Sequence, residues 1–599
     1  MPPTSAKKPF AQPIPDPIIE PIQPATVVII HPGSYNLRLG RASDPYPITV
    51  PHCVARRKKV QIPRVPESWL LRPECNHPEA NHLMKTGLKN AEEALLTKPN
   101  SMGGYRQTTS NRQHFAYNQS SNGERTDVIC PLKWTQTDKK PACIIGEEAL
   151  YVHPSDNYTL HWPMRRGRLN LHGGPCGSLT SVMADLEIIW SKALETYLNI
   201  PIRDLKHYKA IMLIPDVYTH KHVKALMNLL LDTLGFGAAF IHQESVCATY
   251  GTGVPCACVV DVGDQKTSIS CVEDGISHKP TRLTMEYGGS DVTRCFRWML
   301  RKSGVSLPEV DLSMPTDILL MQELKESFCH MDVDRSGIVN QFLQVRQPQK
   351  PIIKYNLRLA DELILSPLGM LYPDMFAVQG QQLVRVQSRF DGDAVDPHDE
   401  SYLRQTQRAQ RDLAKMGSKK ENQESRDVTE SSQLEDTQLS HSQMDDDSND
   451  APETLALTET KTGRRHELEE EEEEDTEPVA QLMGVDEAIL HCIEQCGSED
   501  LKRKMYSCIV VVGGGLALFE GAQSWIQHRV WLQMPNHQRL MMENMDVLTR
   551  PKDNDPRVAC WKGAAVMACL DTTQELWIRP KEWQQYSCRL LRERAPFIW

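Results

Sequence analysis

A short β-hairpin over residues 256–275 most constrains what this chain can fold into. An apolar run ends in a tight turn at Gly263 and Asp264, and an alternating strand follows over 267–272. Backbone N–H groups around such a turn can converge on a phosphate, and the carboxylates of Asp261 and Asp264 suit a Mg²⁺ held through its own waters. A plain turn is the alternative, because turns of this type close ordinary β-hairpins.

A second copy of this hairpin near the N-terminus favours the phosphate site. Residues 26–42 contain an apolar run, a turn at Gly33 and Ser34, and a return strand. When the two hairpins are superposed by sequence, His31 falls on Asp261. The copies are about 230 residues apart, which is typical of a duplicated half rather than of a short-period solenoid. Two such hairpins facing each other from two halves would form a clamp for a polyphosphate.

Charge is distributed unevenly along the chain. The formal net charge is −11, but residues 421–480 alone carry 21 acidic and 4 basic side chains, so the remainder is mildly basic. A basic remainder permits contact with nucleic acid. No apolar run approaches the roughly 18 residues that a membrane helix needs, and the proline-rich start lacks the apolar core of a signal peptide. We therefore predict no membrane association.

Strands that alternate with helices indicate an α/β architecture for the rest of the chain. We predict a proline-rich, disordered arm over 1–24 and a core over 25–376 with an insertion at about 61–140. An acidic low-complexity insertion over 377–478 follows, and the core returns over 479–599. The acidic composition of the second insertion is typical of solvated, disordered chain.

Motifs ordered along the core resemble those of the actin family. Besides the hairpins they are, in chain order, IGEEA at 145–149, HWPMRRG at 161–167, HQESVCATYG at 242–251, YGGSD at 287–291, LKESFCH at 324–330 and VVVGGGL at 510–516. The resemblance implies an actin-like fold, a duplicated ribonuclease-H-like arrangement with two lobes around a central nucleotide cleft. With its two long insertions and its LRERAPFIW ending, the chain most resembles nuclear actin-related subunits of the INO-eighty class of chromatin remodellers.

The resemblance also implies an ATP site, with Mg²⁺ on the nucleotide. The nucleotide-binding positions that it carries over are Gly33, Ser34, Tyr35, Arg38, Asp261, Val262, Gly263, Asp264, Gly288, Gly289, Lys325, Glu326, Gly514, Gly515 and Phe519. Asp261 and Asp264 would face the metal through water, and Phe519 would stack on the base. For Lys325 and Glu326, an ordinary pair on a helix surface is the alternative.

Two departures from the family pattern predict that ATP hydrolysis is weak or absent. His31 replaces a carboxylate of the first loop, and Ser268 replaces a histidine that polarises the attacking water. Gln243 stands where actins orient that water. Ser268 cannot act as a general base at neutral pH without a partner. Since phosphoryl transfer depends on positioning and electrostatics, we expect ATP to be bound without rapid turnover and predict no catalytic residue.

The function implied by the resemblance is that of a non-catalytic subunit of a nuclear chromatin-remodelling complex, acting in transcription regulation and DNA repair. The implied partners are the remodeller ATPase, nuclear actin, another actin-related protein, histones or nucleosomes, and DNA bound without sequence preference. The candidate DNA contacts are Arg56, Arg57, Lys58 and Lys59, with Lys502, Arg503 and Lys504 as a second cluster.

An ATP-hydrolysing enzyme or chaperone of the same superfamily is the alternative function. A cytoskeletal actin is a further one, which the insertions disfavour because they would obstruct a repeating head-to-tail contact.

Overall fold

The computed structural model of the chain describes residues 23–58, 78–106, 111–335, 337–378, 383–388, 476–478, 482–551 and 554–597. Nearly all of the proline-rich arm and most of the acidic insertion lie outside these residues, so the predictions of disorder there are not addressed. Within the described ranges, no helix combines the length and apolar character needed to cross a membrane.

The strands alternate with helices through most of the chain. In chain order they are β1 (Val27–Pro32), β2 (Asn36–Arg41), β3 (Ile48–Pro51), β4 (Val54–Arg57), β5 (Glu124–Ile129), β6 (Cys143–Ile145), β7 (Tyr158–His161), β8 (Met164–Arg165), β9 (Arg168–Leu169), β10 (Lys209–Ile214), β11 (Ala238–Gln243), β12 (Cys256–Val262), β13 (Thr267–Glu273), β14 (Ile276–Ser277), β15 (Leu283–Met285), β16 (Val339–Val345), β17 (Pro351–Leu359), β18 (Val384–Gln387), β19 (Thr476–Pro478), β20 (Cys508–Val512) and β21 (Asp546–Leu548).

The helices follow the amphipathic segments of the sequence. In chain order they are α1 (Pro78–Thr97), α2 (Asn111–Ser120), α3 (Gly146–Leu150), α4 (Leu179–Tyr197), α5 (His220–Asn228), α6 (Glu244–Thr252), α7 (Gly289–Lys302), α8 (Pro315–Phe328), α9 (Glu362–Leu368), α10 (Val485–Glu494), α11 (Glu499–Ser507), α12 (Ala522–Gln533), α13 (Asn536–Met541), α14 (Ala559–Ala568), α15 (Pro580–Tyr586) and α16 (Arg589–Arg594).

Two sheets with the same core topology form the centre of the molecule. The first has the order β11-β10-β1-β2-β3, and the second contains β21-β20-β12-β13-β15 in the corresponding places. In both sheets the hairpin strands pair antiparallel, and the first strand of the hairpin also pairs parallel with a strand from later in the chain. The predicted duplicated α/β fold is therefore confirmed by strand order.

The cross-strand pairing in the two hairpins agrees with the alignment of their sequences. His31 pairs with Arg38 across β1 and β2, and Asp261 pairs with Ser268 across β12 and β13. Side chains alternate between the faces of a strand, so equivalent register positions project from equivalent faces of the two hairpins. His31 and Asp261 are therefore counterparts in the two halves.

Helices α6 and α14 pack between the two sheets and join the halves. Each contributes a glycine to their crossing. A Cβ added at Gly251 would lie 2.0 Å from Ala559 O, and one added at Gly563 would lie 1.7 Å from Cys247 O. A side chain at either position would collide with the backbone of the other helix, so this close approach requires glycine.

Substituting Gly563 tests the importance of this crossing. We expect Gly563→Ala to lower the free energy of unfolding by about 3 kcal/mol, because the added methyl group must push the two helices apart. The control Val566→Ala, on the same helix with the valine 47% exposed, should cost less than about 1 kcal/mol. Denaturant unfolding of both variants provides the measurement, and equal stability of the two would contradict the prediction.

The first insertion is docked on the second half of the molecule. Helix α1 buries Leu88, Ala91 and Leu95 in the apolar core that includes residues of β12 and β13. Strand β5 pairs with β17, and His114 Nε2 lies 2.8 Å from Glu362 Oε1 in a buried contact. The spacing of the three apolar residues is helical, but the polar residues around them hide it in the sequence.

The second insertion begins later than the sequence indicated. Strand β18 falls inside the segment 377–478 that we predicted as low-complexity insertion, yet it pairs with β15, and β19 pairs with β18. Val384 is buried opposite Met285. A short alternating strand thus extends the second sheet before the acidic sequence begins.

Candidate functional site

The two hairpin turns face each other across a cleft. In the first turn the Gly33 N–H donates to Asn36 O at 2.9 Å, and in the second the Gly263 N–H donates to Lys266 O at 2.8 Å. A cavity of about 250 Å³ between them is lined by residues of both halves. The paired turns therefore have the clamp geometry that the sequence predicted.

Most of the predicted nucleotide-binding residues line this cavity. They are Gly33, Ser34, Tyr35, Arg38, Asp261, Gly263, Asp264, Gly289, Lys325, Glu326, Gly514 and Gly515. Lys325 is buried in the cleft wall, where its Nζ donates to Gly289 O at 3.1 Å. That contact excludes the alternative of an exposed surface pair for Lys325.

Three predicted residues do not line the cavity. Val262 lies behind it and accepts a hydrogen bond through its carbonyl from Gly515 N at 2.8 Å. Gly288 also lies behind the second turn, where an added Cβ would be 2.6 Å from Gly263 O. The stacking role predicted for Phe519 is wrong, because this ring packs against two apolar clusters and Leu518 lines the cavity instead.

The first turn is held from behind by a buried histidine that the sequence did not single out. His52 Nδ1 lies 2.8 Å from Gly33 O, and the Trp190 indole N–H donates to His52 Nε2 at 3.1 Å. The indole can only donate, so Nε2 accepts and Nδ1 carries the proton that bonds Gly33. Burial lowers the pKa of His52 to about 4, which keeps this arrangement neutral and fixed at physiological pH.

The second turn is held by the N-terminus of α7. Gly289 N donates to Gly263 O at 3.0 Å, and Ser290 N donates to Asp264 O at 2.7 Å. The first N–H groups of a helix lack partners within the helix. Here they fix the carbonyls of the turn, which leaves the opposite side of the loop facing the cavity.

The prediction that Gln243 orients the attacking water is wrong by one position. Gln243 is fully buried, and its side-chain amide lies 3.4 Å from Asp216 O, away from the cavity. Glu244, the first residue of α6, lines the cavity instead. Gln243 ends strand β11, and an offset of one residue there exchanges a core position for a cavity position.

Both oxygens of Glu244 are engaged. Glu244 Oε1 lies 3.1 Å from His31 Nε2, and Oε2 forms a buried ion pair with Lys266 Nζ. Burial opposes ionisation, but Lys266 and the hydrogen bond from His31 together lower the pKa of Glu244 to about 2. A carboxylate with such a low pKa is a poor acceptor for the proton of an attacking water.

Ser268 offers no substitute base. Its hydroxyl is buried and has no hydrogen-bond partner among the described residues, and the residue does not line the cavity. A serine hydroxyl without a basic partner does not accept protons at neutral pH.

The two aspartates of the second turn have raised pKa values. Burial raises the pKa of Asp264 to about 6, and Lys325 opposes this only in part. Burial and the nearby Glu244 raise the pKa of Asp261, while Lys266 acts in the opposite direction. Asp264 Oδ2 is buried without a hydrogen-bond partner among the described residues, so it can accept a donor from a ligand.

A magnesium ion does not fit well beside Asp261. The cations Lys266 and Arg38 both lower the pKa of this carboxylate. Their two positive charges balance the two negative charges of Glu244 and Asp261. The first turn offers the imidazole of His31, whereas Mg²⁺ prefers oxygen ligands and its own waters. The surrounding side chains therefore speak against the predicted metal role of Asp261, and the metal role of Asp264 stays a prediction.

The basic clusters predicted to contact DNA form internal contacts. Arg56 pairs with the buried carboxylate of Asp185, and Arg57 Nη1 donates to Lys140 O at 2.9 Å. Lys59 lies outside the described residues. In the second cluster, Lys502 pairs with Glu494 and Glu499, Arg503 with Asp500, and Lys504 with Glu273. The guanidinium of Arg56 is therefore held in an ion pair within the protein.

Asp216 gives the site region a pH-dependent contribution to stability. Its carboxylate accepts hydrogen bonds from the Ser245 hydroxyl and from Ser245 N at 3.3 Å. Burial raises its pKa to about 6 from an ordinary value of 3.8, although Ser245 and Arg282 oppose the rise. The folded state therefore binds this proton more tightly than the unfolded state, and stability from this group is lost as the pH rises from about 4 through about 6.

We expect Asp216→Asn to remove this loss. Relative to wild type, the variant should gain about 2–3 kcal/mol of unfolding free energy between pH 4 and pH 7, since each pKa unit is worth about 1.4 kcal/mol. Denaturant unfolding at both pH values measures the difference. The control is Asp138→Asn, at an exposed residue, and should show no such gain. An equal response of the two variants would contradict the assignment of the pH-dependent loss of stability to Asp216.

Comparison with known proteins identifies a family. The family model described as Actin matches residues 22–342 and 392–596. Actin-related protein 8 of Bos taurus is 47% identical over 594 residues, which cover 96% of this chain and 93% of the relative. Actin-related protein 8 of Homo sapiens is also 47% identical with the same coverage, and that of Aedes aegypti is 38% identical over 584 residues, covering 97% of this chain and 99% of the relative.

A solved structure shows the same architecture. Human actin-related protein Arp8 in its ATP-bound state matches with a TM-score of 0.79 and 42% sequence identity. The match covers 98% of this chain and 100% of the human chain. The overall fold thus has a counterpart in a protein whose structure was solved with ATP bound.

Proposed function

Because this chain belongs to the actin family, we propose that it is a non-catalytic actin-related subunit that holds ATP as a structural ligand. The observation that carries this proposal is the arrangement of Glu244, whose two oxygens are engaged by His31 and Lys266 in the cleft between the turns. The cleft has the donors to hold a polyphosphate, and the carboxylate that begins α6 is not free to take a proton from an attacking water. Bound ATP then stabilises the folded state by linkage, since a ligand that binds only the native form adds to its stability.

The setting that we propose is a nuclear chromatin-remodelling complex. The relatives named actin-related protein 8 and the resemblance stated above support this setting. The subunit would assemble with the remodeller ATPase, nuclear actin and another actin-related protein, and would help to bind nucleosomes and linker DNA. Roles in transcription regulation and DNA repair would follow from that assembly.

DNA contact by the first basic cluster would use Arg57 rather than Arg56. The side chain of Arg56 is held by Asp185, whereas Arg57 is exposed at the end of β4. Phosphate contacts of this kind are independent of sequence and depend on salt concentration. The proposed binding is accordingly to the DNA backbone.

Two measurements on the native full-length protein test the proposal. Protein purified without added nucleotide is denatured and its nucleotide is identified by chromatography, and the proposal expects ATP at close to one per chain with little ADP. Affinity purification from nuclear extract is expected to recover a remodeller ATPase together with actin. Bound ADP alone would contradict storage of ATP, and recovery of only cytoskeletal partners would contradict the nuclear role.

A further inference from the structure

Lys266 lies where the two halves of the molecule meet at the cleft. Its carbonyl closes the second turn by accepting from Gly263 N at 2.8 Å, and its side chain crosses to Glu244 in the first half. The aliphatic part runs past Gly167, where an added Cβ would lie 2.4 Å from Lys266 Cδ. The ammonium group is therefore held by packing as well as by charge, and it lines the cavity.

The charges around this ammonium group differ from those of a metal-binding cleft. Burial alone would lower the pKa of Lys266, but the nearby Glu244 and Asp261 favour its charged form and raise the pKa. The nearby Arg38 also lowers the pKa of Asp261 through its positive charge. In the first half, the position equivalent to Asp261 is His31. The cleft thus places fixed cations, and an imidazole in place of one carboxylate, at the position where a divalent cation would neutralise a polyphosphate.

We propose that the Lys266 ammonium group takes the electrostatic place of the divalent cation, so that this cleft binds the polyphosphate of a nucleotide without Mg²⁺. The inference rests on the proposed function, because it concerns how ATP is held. A fixed ammonium group in a buried cleft attracts phosphate oxygens strongly. The packing of the Lys266 aliphatic chain against Gly167 and its pair with Glu244 fix the position of the ammonium group before the ligand arrives. The divalent cation is then dispensable for affinity.

A purely structural lysine is the competing explanation. In that case Lys266 would only neutralise Glu244, and the affinity for ATP would depend on Mg²⁺ whether or not the lysine is present. The two explanations differ in how the effect of Mg²⁺ changes when the ammonium group is removed.

The experiment measures ATP affinity by calorimetry on full-length protein stripped of nucleotide, at constant ionic strength, in excess EDTA and in excess Mg²⁺. For the wild type we expect the two dissociation constants to agree within about threefold, well under the tenfold change that corresponds to about 1.4 kcal/mol. The double variant Lys266→Met/Glu244→Gln removes the ammonium group together with its buried partner, so that no uncompensated charge remains. Its affinity in EDTA is expected to fall by at least about tenfold, and Mg²⁺ should restore most of the loss.

Two single variants serve as controls. Glu244→Gln keeps the ammonium group, so its affinity for ATP in EDTA should exceed that of the double variant. Lys504→Met removes a lysine that pairs with Glu273 away from the cleft and should behave as the wild type. A thermal unfolding scan confirms that each variant is folded.

The outcomes separate this inference from the proposed function. A wild-type affinity that falls more than about tenfold in EDTA overturns the inference and leaves the proposed function intact. A double variant that loses affinity equally with and without Mg²⁺ also overturns it. Failure of the wild type to bind ATP in either condition overturns the proposed function itself.

Discussion

Lys266→Met is expected to lower the free energy of unfolding by at least about 3 kcal/mol, because it leaves the buried Glu244 without its main counter-charge. Glu244 is only 4% exposed, so water replaces the lost ion pair poorly. The comparison Lys504→Met removes the exposed pair with Glu273 and should cost less than about 1 kcal/mol. Denaturant unfolding of the nucleotide-free proteins measures both.

The double variant Lys266→Met/Glu244→Gln separates the cost of an unpaired charge from the loss of packing. Replacing both partners of a buried ion pair by neutral groups is often close to neutral in stability. We therefore expect the double variant to recover at least half of the stability lost by Lys266→Met. A double variant as unstable as the single one would show that packing of the lysine stem, and not the buried charge, dominates.

Gly515→Ala is expected to lower the affinity for ATP by at least about a hundredfold, whereas the neighbouring Gly514→Ala should lower it by less than about tenfold. A Cβ at Gly515 would lie 2.4 Å from Gly263 O, against the backbone of the second phosphate turn. A Cβ at Gly514 would meet only the side chain of Arg557, at 3.3 Å, and that side chain can move. The two variants therefore add the same methyl group to adjacent residues with different consequences.

Calorimetric titration with ATP measures the effect of both glycine variants. Because Gly515 N also donates to Val262 O, a displaced loop moves the turn that holds Asp264. Equal affinities for the two variants would contradict the tight contact between the loops.

The fold could be predicted from sequence because the hairpins carry strong local signals. An apolar strand, a glycine turn and an alternating return strand define each hairpin without reference to distant residues, and their repetition implied the duplicated half. The docking of α1 could not be predicted in this way. Its apolar residues Leu88, Ala91 and Leu95 are few, and their partners lie far along the chain in the second half.

The lining of the cleft was easier to predict at backbone positions than at side-chain positions. The turn glycines Gly33 and Gly263 line the cavity, and their contacts with a nucleotide stay a prediction. The errors at Gln243 and Phe519 are each a displacement by one position, to Glu244 and Leu518. Sequence alone does not fix which of two neighbours faces a cavity at the end of a strand or in a loop.

The sequence contains a weak signal of the polar contacts around Glu244. A lysine in the second phosphate turn and a glutamate that begins a helix after a buried strand are both unusual in apolar surroundings, and each implies a partner. Their pairing joins residues 244 and 266 from different halves of the molecule. Only the packed structure places His31 on the other oxygen of the same carboxylate.

We propose that the cleft retains ATP without hydrolysing it, because both oxygens of Glu244 are engaged and the Ser268 hydroxyl has no hydrogen-bond partner among the described residues. Single-turnover hydrolysis of bound, radiolabelled ATP by the purified full-length protein tests this claim most directly. We expect most of the label to remain ATP over hours, with the same result for Ser268→Ala. Conversion of the bound ATP to ADP within minutes, at a rate that falls in Glu244→Gln, would contradict it by showing that this carboxylate works as a base.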